Sequence, residues 1–565
     1  MSFVSSYFFC NNFIEECSQN LIDNPFWEES NSYVEKLEES HRIDFLKRVL
    51  PLLGFCNLVV DEKPITVQIR SNLVREISQD DLRLFIQRVL NQTSIGHSVL
   101  TRMTLQYSQF FDEKLFLSLP YFTDFQPLRD KRYLAYRYYR NGVVEIDSQT
   151  QNVQLISYSD LPDGSFVWAK QVMDRDFDEE LVASYSEEIF LSDNSIKAGD
   201  HFYRWCQNLC KSRSHSGSWT FNPQRFKALV SGFGYLLHQN WNEHKCVVLV
   251  DEDMSSGSAN GRTGKSVVLN DALSHALNSV TIDAKGAGKK KGNNQFLFSN
   301  VDRSTQYICF DDACEDFDFS ALFSIITGSL TVNKKYGSMF VIPKSQKPKI
   351  SITSNHPITG NGYSYSDRQH IVEVGGFYRF HKGELLKDPS FFHGGYLFDE
   401  DWDIQNWKEF DAFCVNALRF YLTHGLVNSG FSDSYQLSKL HAAVGCPQLT
   451  QTLHRFLEDH KGQETYSKAV DGMSGDETSR CLREYVAASH SEEKFTQNQI
   501  TMGLKHVAKH FSYSLNQGMK DRPQKRFGSK RIGVDLYVIG DPAKPFRHIE
   551  KRYAESAPRV EAFAE

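Results

Sequence analysis

Between Cys246 and Leu269 the chain reads CVVLVDEDMSSGSANGRTGKSVVL: an apolar strand, a loop of small residues, then Gly264-Lys265-Ser266 opening a helix. That order suits a triphosphate. Glycines let successive backbone N–H groups fold around phosphate oxygens, a lysine reaches the β- and γ-oxygens, and a serine hydroxyl ligates Mg²⁺. The phosphates then sit at the positive end of the following helix. The expected nucleotide-binding residues are Ala259, Asn260, Gly261, Arg262, Thr263, Gly264, Lys265 and Ser266, with ATP and Mg²⁺ as cofactors. Ala259 stands where the P-loop pattern has its first glycine. A surface loop that happens to contain GKS is the competing reading, and the apolar strand before it argues against that.

Hydrolysis needs carboxylates at the end of a neighbouring strand, to hold the metal and polarise a water. STQYICFDDACEDF supplies Asp311 and Asp312 after the apolar run Tyr307–Phe310, too apolar a run for a solvated turn. Further on, PKISITSNHPI ends a β-branched strand in Asn355, placed to bond the γ-phosphate or orient the water. In SYSDRQHIVEV, Arg368 precedes another β-rich run. It could complete the site of a neighbouring subunit, or pair with Asp367 on the surface.

The elements that must position these groups follow from composition and periodicity. With 565 residues, 40% hydrophobic and 13% aromatic, the chain has material for several cores. A net charge of -7 advertises no overall nucleic-acid affinity, so any such contact is local. No apolar stretch is long enough to span a membrane, and MSFVSSYFFCNNFIEEC lacks the features of a signal peptide. The scattered, odd-numbered cysteines suit buried thiols in a reducing cytoplasm. His201, Cys206, Cys210 and His215 have spacing that could hold zinc, but HFYRWCQNLC also has helical apolar spacing, which is preferred.

SYVEKLEESHRIDFLKRVLPLLG and SQDDLRLFIQRVLNQ show helical periodicity, so residues 1–130 are expected to be mainly helical. Residues 131–240 hold a small β element with Asn141-Gly142 and Pro162-Asp163-Gly164 turns, then a helical lead-in. Strand and helix alternate over 241–385, the pattern of a parallel α/β core. A helical subdomain spans 386–475, a helix-then-hairpin module 476–545, and a polar tail 546–565.

Glycine loop, paired acids, strand-end Asn and Arg in this order resemble the superfamily 3 helicases, most closely the phage and mobile-element (poxvirus-type) primase-helicase proteins. GYLLHQNWNEHKCVVLVDED…GRTGKS and FDDACEDFDFSALFSIITGSLTVNKKYGSMFVIPKSQKPKISITSN carry the resemblance, and YYRNGVVEIDSQTQNVQLISYSDLPDGSFVW is similar to the domain preceding the motor. It implies a multidomain α/β chain with an AAA+-like P-loop ATPase core, in which Gly264 and Lys265 bind phosphate and Ser266 and Asp311 bind Mg²⁺. Asp312 would activate water, Asn355 would be sensor 1 and Arg368 the arginine finger. Which of Asp311 and Asp312 is base and which is metal ligand stays open.

The family's channel hairpin would correspond to LTVNKKYGSMFVI, with Lys334, Lys335 and Tyr336 gripping one DNA strand, although lysines also discourage edge pairing in ordinary hairpins. Lys285-Gly-Ala-Gly-Lys289-Lys290-Lys291 is either a DNA contact or a solvated loop. In 501–535, eight cations (Lys505, Lys509, Lys520, Arg522, Lys525, Arg526, Lys530, Arg531) face two acids, Asp521 and Asp535. With helices before a hairpin turning at Gly528-Ser529, this suggests a winged-helix-like DNA-binding module, Lys525, Arg526, Lys530 and Arg531 touching phosphates. A face for solubility or a protein partner is the alternative. Asp174, Asp176 and Asp178 in DRDFDEE read as a solvated loop, and no Asp-x-Asp palm constellation in a β context precedes residue 200, so a separate primase is an expected partner. The expectation is a hexameric DNA helicase moving on single-stranded or forked DNA in a bacterial host's cytoplasm, with no membrane contact. An ATPase that melts origins or remodels protein–DNA complexes, or a non-hydrolysing nucleotide switch, are the alternatives.

Overall fold

Five short strands, the central ones largely buried, build the element on which the candidate residues sit. Ser279–Asp283, Tyr307–Ala313, Lys349–Ser354, Cys246–Asp251 and Gln369–Val374 lie side by side in that order as one parallel sheet. The near-continuous apolar run CVVLVD fits a strand covered on both faces, and KISITS, although it alternates Ile with polar residues, is buried along its whole length. The computed structural model describes residues 3–28, 34, 36–60, 63–180, 186–192, 200–214, 216–252, 261–287, 295–335, 339–358, 363–381, 384–385, 390–400, 402–490, 495–516, 523–529 and 531–540. The protein is a multidomain α/β chain.

It divides into two compact units. The first comprises Met1–Asp251, Gly261–Asn355 and Asn361–Gly430; the second is mainly Phe431–Glu565 with the short pieces Glu252–Asn260 and His356–Gly360. In the first, helices Pro223–Leu237 and Ile404–His424 pack on each other. Gly234 is required at their crossing, because a Cβ there would stand 2.2 Å from the Ala417 carbonyl oxygen. Asn222 caps the first of these helices by accepting from the Arg225 amide, and Asp403 caps the second.

Two arginines, Arg137 on the strand Leu134–Tyr139 and Arg175 in the segment after Trp168, reach into this core. Arg137, 2% exposed, donates to the carbonyls of Leu237 (3.3 Å) and Ala276, the former at a helix end where the dipole favours a cation. Arg175 forms a fork with Asp411 at 2.8 and 2.7 Å and also donates to His275 O at 2.9 Å.

Residues 1–130 also hold a strand element that helical periodicity does not announce. Helices Asn11–Asp23, Gln79–Leu90 and Gly96–Leu105 are present, but Phe55–Val60, Lys63–Arg70 and Leu73–Glu76 form an antiparallel meander. Its tight turn places Ser71 and Asn72 at φ 47 and 61, the left-handed pair that a two-residue hairpin needs. The meander continues into Ser165–Trp168, pairing Leu73 with Val167, so the sheet crosses the expected 130/131 boundary. A separate three-stranded sheet holds Leu134–Tyr139, Gly142–Asp147 and Asn152–Ile156. Helical spacing failed here because FCNLVV is buried on both faces and shows no period of 2.

The second unit starts at Phe431, so the helices expected within 386–475 are shared between the two units. Helices Asp433–Val444, Pro447–Asp459, Leu482–Ser489 and Gln497–His510 surround Leu449, Leu453, Phe456, Leu504 and Val507. A three-stranded antiparallel sheet runs Glu464–Tyr466, Ile532–Val538, Gln524–Phe527, and the last two strands form the hairpin turning at Gly528. Residues 546–565, read as a tail, lie outside the described residues. Among the described residues no helix is long and apolar enough to cross a membrane.

Two stability predictions follow from these buried charges. Asp411→Ala leaves Arg175 buried without its fork and should lower unfolding free energy by about 3–5 kcal/mol in urea denaturation. Lys347, 1% exposed, donates to the carbonyls of Ile325 and Ile326, and burial pushes its pKa down to about 7. Since the unfolded lysine titrates near ~10.4, the folded protein bears the full cost of the charge below about pH 7 and loses that cost as pH rises toward the unfolded value. The stability of Lys347→Met relative to wild type should therefore be greatest below pH 7 and decline steadily as pH is raised, measured as paired denaturation curves.

Candidate active site

The strand Cys246–Asp251 delivers Asp251 to the sheet's C-terminal edge, and the chain re-enters the described residues at Gly261. Gly261, Arg262 and Gly264 have φ of 47, 55 and 96, a run of left-handed backbone that turns the loop before the helix. Gly264 is constrained twice: a Cβ there would also stand 2.7 Å from the Trp205 indole. The helix starts at Lys265 and widens into a π-helical stretch over Val267–Ala272.

Lys265 is 6% exposed. Its ammonium donates to Asp251 Oδ1, to Thr263 Oγ1 at 3.0 Å and to Asn355 Oδ1 at 2.9 Å, while Thr263 Oγ1 donates to Asp251 at 2.6 Å. Burial lowers the Lys265 pKa, and the Asp251 carboxylate opposes that shift. The ammonium is therefore held by acceptors that a more highly charged anion could replace.

Asp311 and Asp312 close the strand Tyr307–Ala313, but not as a regular strand would. Phe310 pairs with Ile352 and Ala313 with Ser354, which leaves one extra residue on the acidic strand, and Asp312 takes φ 58. In a regular strand, adjacent side chains face opposite sides; the bulge turns both carboxylates to one pocket. Thr353 anchors it. Its hydroxyl donates to Asp311 Oδ1 at 2.6 Å and accepts from the Asp312 amide at 2.8 Å. Ser266 Oγ donates to the same Asp311 oxygen at 2.8 Å, and Asn355 Nδ2 donates to Asp312 Oδ1 at 3.0 Å. Lys285 forms an ion pair with the other Asp312 oxygen, which raises the lysine pKa.

Lys265, Ser266, Asp311, Asp312, Thr353 and Asn355 line a pocket of about 640 Å³, with Trp205, Tyr378 and Tyr396 forming an aromatic side. Trp205 stacks on Tyr378 at 4.0 Å between ring centroids, and Tyr396 is 60% exposed. Chemically, an ammonium beside a left-handed loop and helix start is a donor set for an anion. The Ser266 hydroxyl with the Asp311 carboxylate offers the oxygen ligands that a small hard cation takes alongside an anionic substrate.

Five expected residues, Lys265, Ser266, Asp311, Asp312 and Asn355, are thus brought together, with Gly261, Arg262, Thr263 and Gly264 as the turn. Ala259 and Asn260 lie outside the described residues. Arg368 is not in this pocket. Its carbonyl accepts from Cys246 N at 2.8 Å, at the opposite end of the strand that ends in Asp251. Its guanidinium lies over Phe323 at 4.7 Å and donates to Ser364 O at 2.8 Å; among the described residues no ion pair joins it to Asp367.

The expected DNA contacts divide. Leu330–Val332 and Phe340–Ile342 pair as a hairpin, with Tyr336 outside the described residues and Lys335 exposed. Lys334 departs from the expectation: its ammonium folds back onto Ser299 O (2.9 Å) and Val301 O (2.8 Å) instead of standing out at the tip. Lys525 departs too, bonding Tyr466 Oη at 3.0 Å and Glu477 at 3.3 Å, because its strand alternation aims it at the unit's own acids. Arg526 and Arg531 are exposed; Lys530 lies outside the described residues, as do Lys289, Lys290, Lys291 and His215. Cys206 and Cys210 are buried around helix His201–Leu209, and burial raises both thiol pKa values.

Sequence reasoning missed Asp251, Thr353, Trp205, Tyr378 and Tyr396. Asp251 could have been found as the acid ending an apolar strand. The other four carry no local signal, since only the fold brings them to the loop.

No protein-family model matches the chain, and no curated protein matches it. Two solved apo structures of the NrS-1 C-terminal region align over 91% and 88% of this chain and 100% and 99% of theirs, at 11% and 10% identity and TM-scores of 0.34 and 0.35. Likeness at that level carries neither fold nor function.

Thr353 gives the test of the bulge. Thr353→Val removes the acceptor of the Asp312 amide and the donor to Asp311, and should destabilise by about 1–3 kcal/mol in chemical denaturation, with Thr353→Ser restoring most of the loss.

Proposed function

We propose that the chain is an ATP- and Mg²⁺-dependent, superfamily 3-type DNA helicase of a phage or other mobile element. It works as a homo-hexameric ring on single-stranded or forked DNA, in a bacterial cytoplasm and beside a separate primase. One observation carries this reading: Lys265, Ser266, Asp311, Asp312 and Asn355 converge at the C-terminal ends of three adjacent parallel strands, beneath a left-handed glycine turn. That convergence is what supports reading the sheet as a P-loop ATPase core.

In this reading the 261–266 turn and Lys265 bind the β- and γ-phosphates, with Lys265 exchanging Asp251 for phosphate oxygens. Ser266 and Asp311 hold Mg²⁺, which supplies neutralisation of the charge developing on the phosphoryl group. Asp312 accepts a proton from the attacking water, oriented with Asn355, once Lys285 releases its carboxylate. Arg368, distant from its own pocket, is left for the neighbouring subunit's site. The second unit's helices with a three-stranded sheet and hairpin support a winged-helix-like module, with Gln497–His510 as its groove helix and Arg526 and Arg531 on phosphates.

The folded-back ammonium of Lys334 favours a second reading, an ATPase that melts origins or remodels protein–DNA complexes without processive stepping. A non-hydrolysing switch is disfavoured, because it needs no paired acids.

Strand displacement on a forked duplex decides between them. Lys265→Ala should lower ATP hydrolysis roughly 10²–10³-fold, the loss typical of removing one charge-stabilising donor. Lys334→Ala/Lys335→Ala should retain ATPase and lose displacement. DNA-stimulated ATPase without displacement in the wild type would leave the remodeller, and neither activity would leave the switch.

A further inference from the structure

A second cavity, about 570 Å³, opens at the other edge of the parallel sheet, among the residues leading into its strands: Trp241, Thr305, Gln306 and Pro343–Gln346. Its volume falls in the range of small-ligand sites. Segments 127–130 and 168–171 of the same unit form the facing wall.

The wall chemistry is uneven in a way that specifies a ligand. Three cations line it, Arg129, Arg303 and Lys344, against one carboxylate, Asp130. Asp130 is already occupied: Oδ1 accepts the Tyr136 amide at 2.9 Å and Oδ2 the Gln239 amide at 2.7 Å. Arg303 rests its guanidinium on Phe340 at 4.4 Å, has no bond to Nε or Nη1, and enters no ion pair among the described residues. Lys344 is exposed at the mouth.

The aromatic lining has its polar ends already bonded. Trp241 Nε1 donates to Lys347 O at 2.8 Å and Tyr138 Oη to Leu128 O at 3.2 Å. Gln171 and Gln239 likewise direct their side-chain N–H groups to main-chain carbonyls, leaving amide oxygens as acceptors. Arg129 donates to Ser345 Oγ at 3.3 Å. A guanidinium at Arg303 without an ion pair among the described residues, the exposed Lys344 ammonium, indole surface and amide oxygens in one cavity match a ligand that joins a phosphate to an aromatic base.

We propose that this cavity binds a nucleoside phosphate, the phosphate against Arg303 and Lys344 and the base against Trp241 and Trp168. The ligand is either one unit of a single strand or a free nucleotide. Pro343–Gln346 continues directly from the hairpin strand Phe340–Ile342, so a strand held at the hairpin has a route into the cavity. The strand form rests on the helicase reading; the free-nucleotide form does not.

The test uses the full chain in a Lys265→Ala background without ATP, so that the glycine-loop pocket contributes little. Two probes are titrated: a fluorescein-labelled oligothymidylate by anisotropy and thymidine monophosphate by tryptophan fluorescence. Arg303→Ala/Lys344→Ala should weaken oligothymidylate about 10-fold and reduce its salt slope by roughly 1–2. Lys36→Ala/Lys461→Ala, which removes equal charge elsewhere, should change neither. Loss of monophosphate binding with oligothymidylate unaffected identifies the free nucleotide as the ligand. No change with either probe overturns the proposal. Neither probe requires hydrolysis, so an inactive wild-type ATPase would sink the helicase reading and leave this result interpretable.

Discussion

A lysine charge is buried at the edge of the parallel sheet, and the surrounding site is arranged to hold it. Lys265 is held by Asp251, Thr263 and Asn355, which come from the strand before the loop, the loop itself and the end of a neighbouring strand. An isolated ammonium so buried would be strongly disfavoured. Each of those three segments must therefore stop where it does, and the strand order of the sheet is what makes them meet.

The acidic pair depends on a second local irregularity. Without the bulge after Phe310, Asp311 and Asp312 would face opposite sides of the sheet. Residues in left-handed backbone cost free energy unless their surroundings hold them there. Thr353 does so by taking the Asp312 amide and the Asp311 carboxylate together. The Trp205 indole performs a comparable task on the other flank, where only glycine fits at 264. Regular strand and helix carry these groups to the pocket's rim; departures from regularity aim them into it.

Much of this was legible because a glycine turn, a helix-start lysine and a strand-end acid pair are each written locally in the sequence. Gly264-Lys265-Ser266 after an apolar run, and Asp311-Asp312 after another, are local patterns whose physical need is local. The parallel core was equally readable, since strand and helix patterns alternate there and one of its inner strands is the unbroken apolar run CVVLVD. The same property misled at Phe55–Val60, where a two-sided buried strand shows no alternation and sits between helices that do show period. Lys334 and Lys525 looked like outward cations because sequence counts charge without showing what each ammonium bonds; both bond to their own unit.

The sequence by itself determined which donor and acceptor side chains stand at the glycine turn and at the strand ends, because residue type and spacing suffice for that. Only the tertiary structure decided that Asp251 neutralises Lys265, that a bulge lets adjacent aspartates share a pocket, and that Arg368 stands at the opposite end of its strand neighbour. The physical reason is range. Loop and helix-start chemistry acts over a few residues, whereas burial, strand register and charge pairing join Asp251 to Asn355 and Thr353 to Asp311 across segments that local pattern cannot connect.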